Sequence, residues 1–104
     1  MESEELKQKL KSFSKEKIIF KGHALERSIE REISKDFVVE NILNPEKLID
    51  FVEEPSKFPN EKKFKLVFEI SRNRSLIVVA GINEFINVIT IVIRYRKWFR
   101  PQGV

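Results

Sequence analysis

The 104-residue chain contains no cysteine and only one histidine. Disulfides and thiolate metal centres are therefore excluded, and a lone imidazole makes a zinc site improbable. Three glycines and four prolines punctuate the chain, without an internal repeat, a low-complexity tract or a second-domain linker. No apolar segment approaches the roughly 20 residues that span a bilayer; the longest, Leu76 to Ala80 and Val88 to Ile93, are the size of strands. The opening Met-Glu-Ser-Glu-Glu-Leu-Lys lacks the basic start and apolar stretch of a secretory signal. A cytoplasmic location with no membrane partner is the expectation.

What is present is an apolar fraction of 41%, enough for one two-layer core, so residues 1–104 are read as one domain. Charged residues make up 35%, with a net charge of +4, which suits an anionic partner such as RNA.

Residues 1–16 carry Leu6, Leu10 and Phe13 as a sparse stripe at helical spacing, read as a marginal helix or a frayed tail. After an extended step at Ile18-Ile19-Phe20, Gly22 breaks the chain and a helix begins near His23. Ala24, Leu25, Ser28 and Ile29 are its expected buried side. Ser34 is a good N-cap for the next helix, with Asp36 in its first turn and Phe37, Val38, Ile42 and Leu43 as the expected buried face. Asn44-Pro45 ends it, because a residue before proline avoids helical angles.

From Lys47 onward the period changes to two. Strands are expected at Leu48 to Val52, Phe64 to Ile70, Leu76 to Ile82 and Ile86 to Tyr95, with turns at Arg72-Asn73-Arg74 and around Asn83-Glu84. Residues 97–104 form a C-terminal tail. Helices followed by strands on short turns indicate an α+β fold: two or three N-terminal helices packed on one face of a roughly four-stranded antiparallel sheet.

His23, Arg27 and Arg31 recur every four residues and so form one ridge on the first core helix. Imidazole moves protons near neutral pH, and guanidinium groups stabilise charge building on a phosphorane, so the row is a plausible kit for RNA cleavage without metal or other cofactor. Surface ion pairs with Glu26 and Glu30 would produce the same pattern. Lys63 and Lys65 share one side of a strand, and Arg94 and Arg96 one side of the last strand, with Tyr95 opposite. Facing a common groove, they would track an RNA backbone. Thr90 adds a hydroxyl to an otherwise apolar strand.

The run His23-Ala24-Leu25-Glu26-Arg27-Ser28-Ile29-Glu30-Arg31-Glu32-Ile33-Ser34, with Ile42-Leu43-Asn44-Pro45 and Val88-Ile89-Thr90-Ile91, resembles the proteins grouped as domain of unknown function 4258. These are similar to the RelE/ParE-like toxins of the barnase, EndoU, colicin and RelE ribonuclease grouping. The resemblance covers residues 20 to 96. It implies a RelE-like fold and a toxin-antitoxin context, with metal-independent endoribonuclease activity that leaves a 2′,3′-cyclic phosphate. It also implies a small acidic antitoxin as partner, and a homodimer is a further outcome left open. Catalytic roles carry over to His23, Arg27, Arg31 and Thr90, and RNA contacts to Arg94 and Tyr95. The glycine that often follows the second arginine is Glu32 here, which predicts a tighter or differently capped turn into Ser34. A non-catalytic basic module binding nucleic acid or protein is the competing expectation.

Overall fold

A computed structural model describes residues 2–95. Helix α1 spans Ser3–Lys11, strand β1 Ile18–Phe20, helix α2 Gly22–Glu30 and helix α3 Lys35–Leu43. Strands β2 (Leu48–Glu54), β3 (Lys62–Ser71), β4 (Arg74–Ile82) and β5 (Ile86–Tyr95) complete an α+β fold. Among the described residues the sheet has five strands, in the order β1-β5-β4-β3-β2. β2 to β5 form the expected antiparallel meander, while β1 runs parallel to β5 at the far edge, pairing Ile18 with Ile86 and Phe20 with Val88. The four-stranded antiparallel expectation is corrected here: the extended step at Ile18-Ile19-Phe20 pairs with a strand some seventy residues later, a pairing that local pattern does not encode.

All three helices cover one face of the sheet. Along β3 the residues beneath them are Phe64, Leu66 and Phe68, along β4 Leu76, Val78 and Ala80, and along β5 Ile86, Val88 and Ile91. Leu6 and Leu10 of α1, Ala24 of α2, and Val38 and Ile42 of α3 close the same cluster from above. The alternate strand residues point to the other face, which none of the described helices covers.

α1 is a working part of this core. Its first turn is closed by the Glu2 backbone N–H donating to Glu5 Oε1 at 3.0 Å, and the helix packs against α3, the 3-10 turn Pro45–Lys47 and β2. Both leucines of its thin stripe are 0% exposed. The position of α2 also departs from its hydrophobic pattern. Ala24 and Ser28 are its buried residues and Leu25 is half-buried, while Ile29 stands 77% exposed, so the helix is turned to bring Arg27 toward the sheet. In α3 the buried residues are Val38, Asn41 and Ile42, and Phe37 is exposed.

β5 contains a bulge. Val79 pairs with Thr90 but Ala80 pairs with Val88, so Ile89 is an extra residue. The insertion flips the alternation, so that Ile91, Ile93 and Tyr95 join Val88 on the helix side while Thr90, Val92 and Arg94 join Val79 on the open face. On that open face Glu61 folds over Gly81, its carboxylate oxygens within 2.7 Å of where a Cβ would lie, and accepts from Asn87 Nδ2 at 3.3 Å. Among the described residues no helix is long and apolar enough to cross a membrane.

Candidate phosphate-binding cleft

α2 springs directly from the end of β1. The Lys21 N–H donates to the Val88 carbonyl at 3.0 Å and its own carbonyl accepts from the Leu25 N–H at 2.9 Å, so the sheet fixes the helix start. His23 is then in the first turn and exposed, Arg27 is half-buried, and Arg31 is the C-cap. The ridge therefore exists as a row along α2. Its two ends are about 12 Å apart by helical rise, so His23 and Arg31 serve different places. Arg31 does not pair locally: its guanidinium Nη1 donates to the Ile91 carbonyl at 3.1 Å, where β5 has just passed its bulge.

The chain turns from α2 to α3 within four residues. The Ile33 N–H reaches back to the Ser28 carbonyl at 2.9 Å and the Glu32 N–H to the Ile29 carbonyl at 3.3 Å, the double hydrogen bond of a Schellman cap. Such a cap needs a left-handed residue at its centre, and Glu32 occupies it with φ 54°. Glycine would adopt that angle without the steric cost of a Cβ. Ile33 is buried and Ser34 caps α3 by accepting from the Phe37 N–H at 3.3 Å.

Beneath this turn lies a cleft of about 490 Å³ against the ends of the strands. Arg31, Glu32 and Ser34 form its upper wall, Arg74 and Tyr95 its lower wall, and Ile70 and Ile93 lie between. Arg74 and Tyr95 are directly paired across β4 and β5, which places their side chains on the same, helix-bearing side. The Arg74 Nε also donates to Ser71 Oγ at 3.4 Å across the hairpin. Two guanidinium groups, a phenol and a carboxylate thus converge on one concave surface: donors for an anion, an acid and a base.

The other residues named from sequence lie elsewhere. His23 and Arg27 do not line this cleft. Thr90 sits on the open face, opposite Val79 and through it Lys65, so the sheet separates it from the α2 ridge. Lys63 and Lys65 are on that face too, and Lys65 and Arg94 share a shallow concavity of about 300 Å³ with Asp50, Val52 and Ile77. The common strand groove thus exists for Lys65 and Arg94, but on the side away from His23. Tyr95 belongs to the helix-side cleft, and Arg96 lies outside the described residues. Among the described residues no three His, Asp or Glu side chains gather as metal ligands.

Sequence reading misses Arg74 and Glu32. Arg74 is legible there only as a turn residue, although its place at the start of a strand opposite the last strand's tyrosine is a usable signal. Glu32 is visible as a non-glycine at a position suited to glycine. The Glu32→Gly variant is expected to be more stable by about 0.5–1 kcal/mol, the left-handed strain relieved minus the extra chain entropy of glycine. A urea melt measures it, and a midpoint shifted downward would contradict the strain argument.

No protein-family model matches the chain, and neither the curated proteins nor the solved structures contain a match.

Proposed function

We propose that the protein is a toxin-like, metal-independent endoribonuclease that holds single-stranded RNA in the cleft between the α2–α3 turn and the ends of β3, β4 and β5. The observation that carries this reading is the convergence of Arg31, Arg74 and Tyr95 there. A guanidinium carries five N–H donors, and the Ile91 carbonyl uses one on Arg31. That bond orients the group and leaves the rest for a phosphate.

The chemistry balances within the cleft. Glu32 takes the proton of the ribose 2′-hydroxyl, whose oxygen attacks the phosphorus. The P–O5′ bond breaks, and the Tyr95 hydroxyl gives its proton to the leaving 5′-oxygen. Arg31 and Arg74 neutralise the non-bridging oxygens of the phosphorane. The products are a 2′,3′-cyclic phosphate and a 5′-hydroxyl. Arg27 and His23 continue the basic row away from the cleft and receive the neighbouring phosphates.

Single-stranded RNA incubated with the protein in chelator should yield cyclic-phosphate ends, and Tyr95→Phe should slow cleavage by about 10²-fold or more, the usual contribution of a positioned acid. The variant His23→Ala should stay within about twofold, since a group holding only a flanking phosphate contributes little to the chemical step. Absence of cleavage, or loss of cleavage with His23→Ala and not with Tyr95→Phe, would overturn the assignment.

A second reading is favoured by the concavity that Lys65 and Arg94 share on the open face, with exposed Ile49 and Val52 beside it. A basic and apolar sheet face suits an acidic protein segment such as an antitoxin's, and in that reading the protein binds without turnover.

A further inference from the structure

We propose that the open face of the sheet is the surface on which two copies of this chain pack together. The cleft lies on the other side of the sheet, so this inference stands whether or not RNA binds there.

Strand register lays the open face out in rows. Val52, Lys65, Val79 and Thr90 follow one another across β2, β3, β4 and β5, and Asp50, Val67, Ile77 and Val92 form the next row. None of the described helices covers these rows, yet their middle is apolar. At the β2 edge Ile49 and Val52 stand 49% and 50% exposed, the register shift between Leu48 and Asp50 having set Ile49 on this side too. A run of β-branched side chains on a pleated surface is what packs well against a second sheet, aligned to within about 30°.

The charges surround that middle and include both signs. Lys63, Lys65 and Arg94 share the face with Asp50, Glu54 and Glu69, and Glu61 folds onto it over Gly81. The concavity of Lys65 and Arg94 is basic taken alone, but a uniformly acidic partner covering the whole face would meet like charges as well as opposite ones.

A second copy complements it better. With a two-fold line running along the strands between β3 and β4, each β3 lies over the other copy's β4 and each β2 over its β5. Val67 then meets Ile77 at the centre, twice. Arg94 comes over the bulge at Ile49 and Asp50, and Lys63 over Gly81 with its Glu61 carboxylate. Lys65 meets Val79, on which its methylene stem lies while the ammonium reaches the rim.

The area suffices for a modest dimer. Four strands about 4.8 Å apart and four rows about 6.8 Å apart outline roughly 500 Å². Side-chain relief enlarges the accessible area and Ile19 of β1 extends it beyond Asn87, so burial approaches the roughly 800 Å² per partner of a standard interface. Dissociation in the micromolar range is expected, with both helix-side clefts on the outer surfaces of the dimer.

The test is sedimentation velocity on the full chain and on two charge reversals at exposed positions, Arg94→Glu and Asp50→Lys. The unaltered chain should sediment as a dimer at submillimolar concentration and dissociate on dilution through the micromolar range. Each variant alone sets like charges together at both symmetric contacts, so its dimer should weaken by at least about tenfold. An equimolar mixture of the two should recover to within about threefold of the unaltered chain, because each contact of the mixed dimer again joins opposite charges. That recovery would also show that both variants fold. A chain that stays monomeric, variants that dimerise undiminished, or a mixture no tighter than its components would each overturn the interface. A monomer that binds a polyglutamate peptide at Lys65 would overturn it too and give the face to an acidic segment.

Discussion

Truncation of Leu10 to alanine should destabilise the protein by about 2–5 kcal/mol, and Leu6→Ala by a similar amount. Both side chains are 0% exposed within the one hydrophobic cluster, so removal of either leaves a cavity roofed by α1 and floored by the sheet. Domains of this size are stable by about 5–15 kcal/mol in total, so the pair of substitutions together should bring the chain close to unfolding at ambient temperature. The measurement is urea denaturation followed by far-ultraviolet circular dichroism. Had α1 been a frayed tail, as its thin stripe allows, each substitution would shift the midpoint negligibly. A destabilisation below about 0.5 kcal/mol, the range of surface substitutions, would place α1 outside the core.

The second large effect concerns the arginines. Arg31→Ala and Arg74→Ala should each lower RNA cleavage by about 10²-fold or more, the usual consequence of removing a donor that meets developing charge in the transition state. Each should also reduce the slope of log affinity against log salt by about one, as expected when one phosphate is no longer neutralised by the protein. Arg31→Ala carries an additional structural cost, because its guanidinium ties the C-terminus of α2 to Ile91 across the sheet. That neutral acceptor makes a charge-assisted bond, and removing it should cost about 1.5–3 kcal/mol. Arg74→Ala loses only the longer, exposed bond to Ser71 Oγ, so its structural cost is smaller, and comparing cleavage with stability for the two variants separates recognition of phosphate from support of the fold. Arg31→Lys should rescue little of either, since an ammonium cannot hold the carbonyl and a phosphate in the planar fork that guanidinium provides.

The reasons that parts of this fold are legible in the sequence are local. Ser34 and Asn44-Pro45 bound α3 because capping and proline sterics act within a few residues, and β2 to β5 declare themselves through a period of two. What escapes is set by distant partners. β1 is a strand only because β5 offers it an edge, and α1 holds only because Val38, Ile42 and the sheet receive its two leucines. α2 is rotated away from its own hydrophobic pattern, leaving Ile29 in solvent and Arg27 half-buried.

The candidate site is half-legible for the same reason. The row His23, Arg27, Arg31 is a consequence of helical spacing and is present along α2. Its chemistry divides, because Arg31 lines the cleft and His23 and Arg27 do not. Thr90 is separated from the row by a single inserted residue: strict alternation from Val88 would keep it on the helix side, and the bulge at Ile89 sends it to the other. Arg74 and Tyr95 become neighbours through strand register, which neither turn chemistry nor composition specifies. Alternation alone sets Tyr95 opposite Arg94, and that relation holds; what alternation does not encode is that Tyr95 joins Arg31 and Arg74 in the helix-side cleft.

In the proposed reading RNA enters on the helix side of the sheet. Titration of the ¹⁵N-labelled protein in chelator with a short single-stranded RNA, its ribose 2′-positions methoxylated so that it cannot be cleaved, decides the point. Amide resonances of Arg31, Glu32, Ser34, Arg74 and Tyr95 should shift together and saturate with one affinity, while those of Lys63, Lys65 and Thr90 should stay in place. Shifts centred on Lys65 and Thr90, with the α2–α3 turn unmoved, would contradict it.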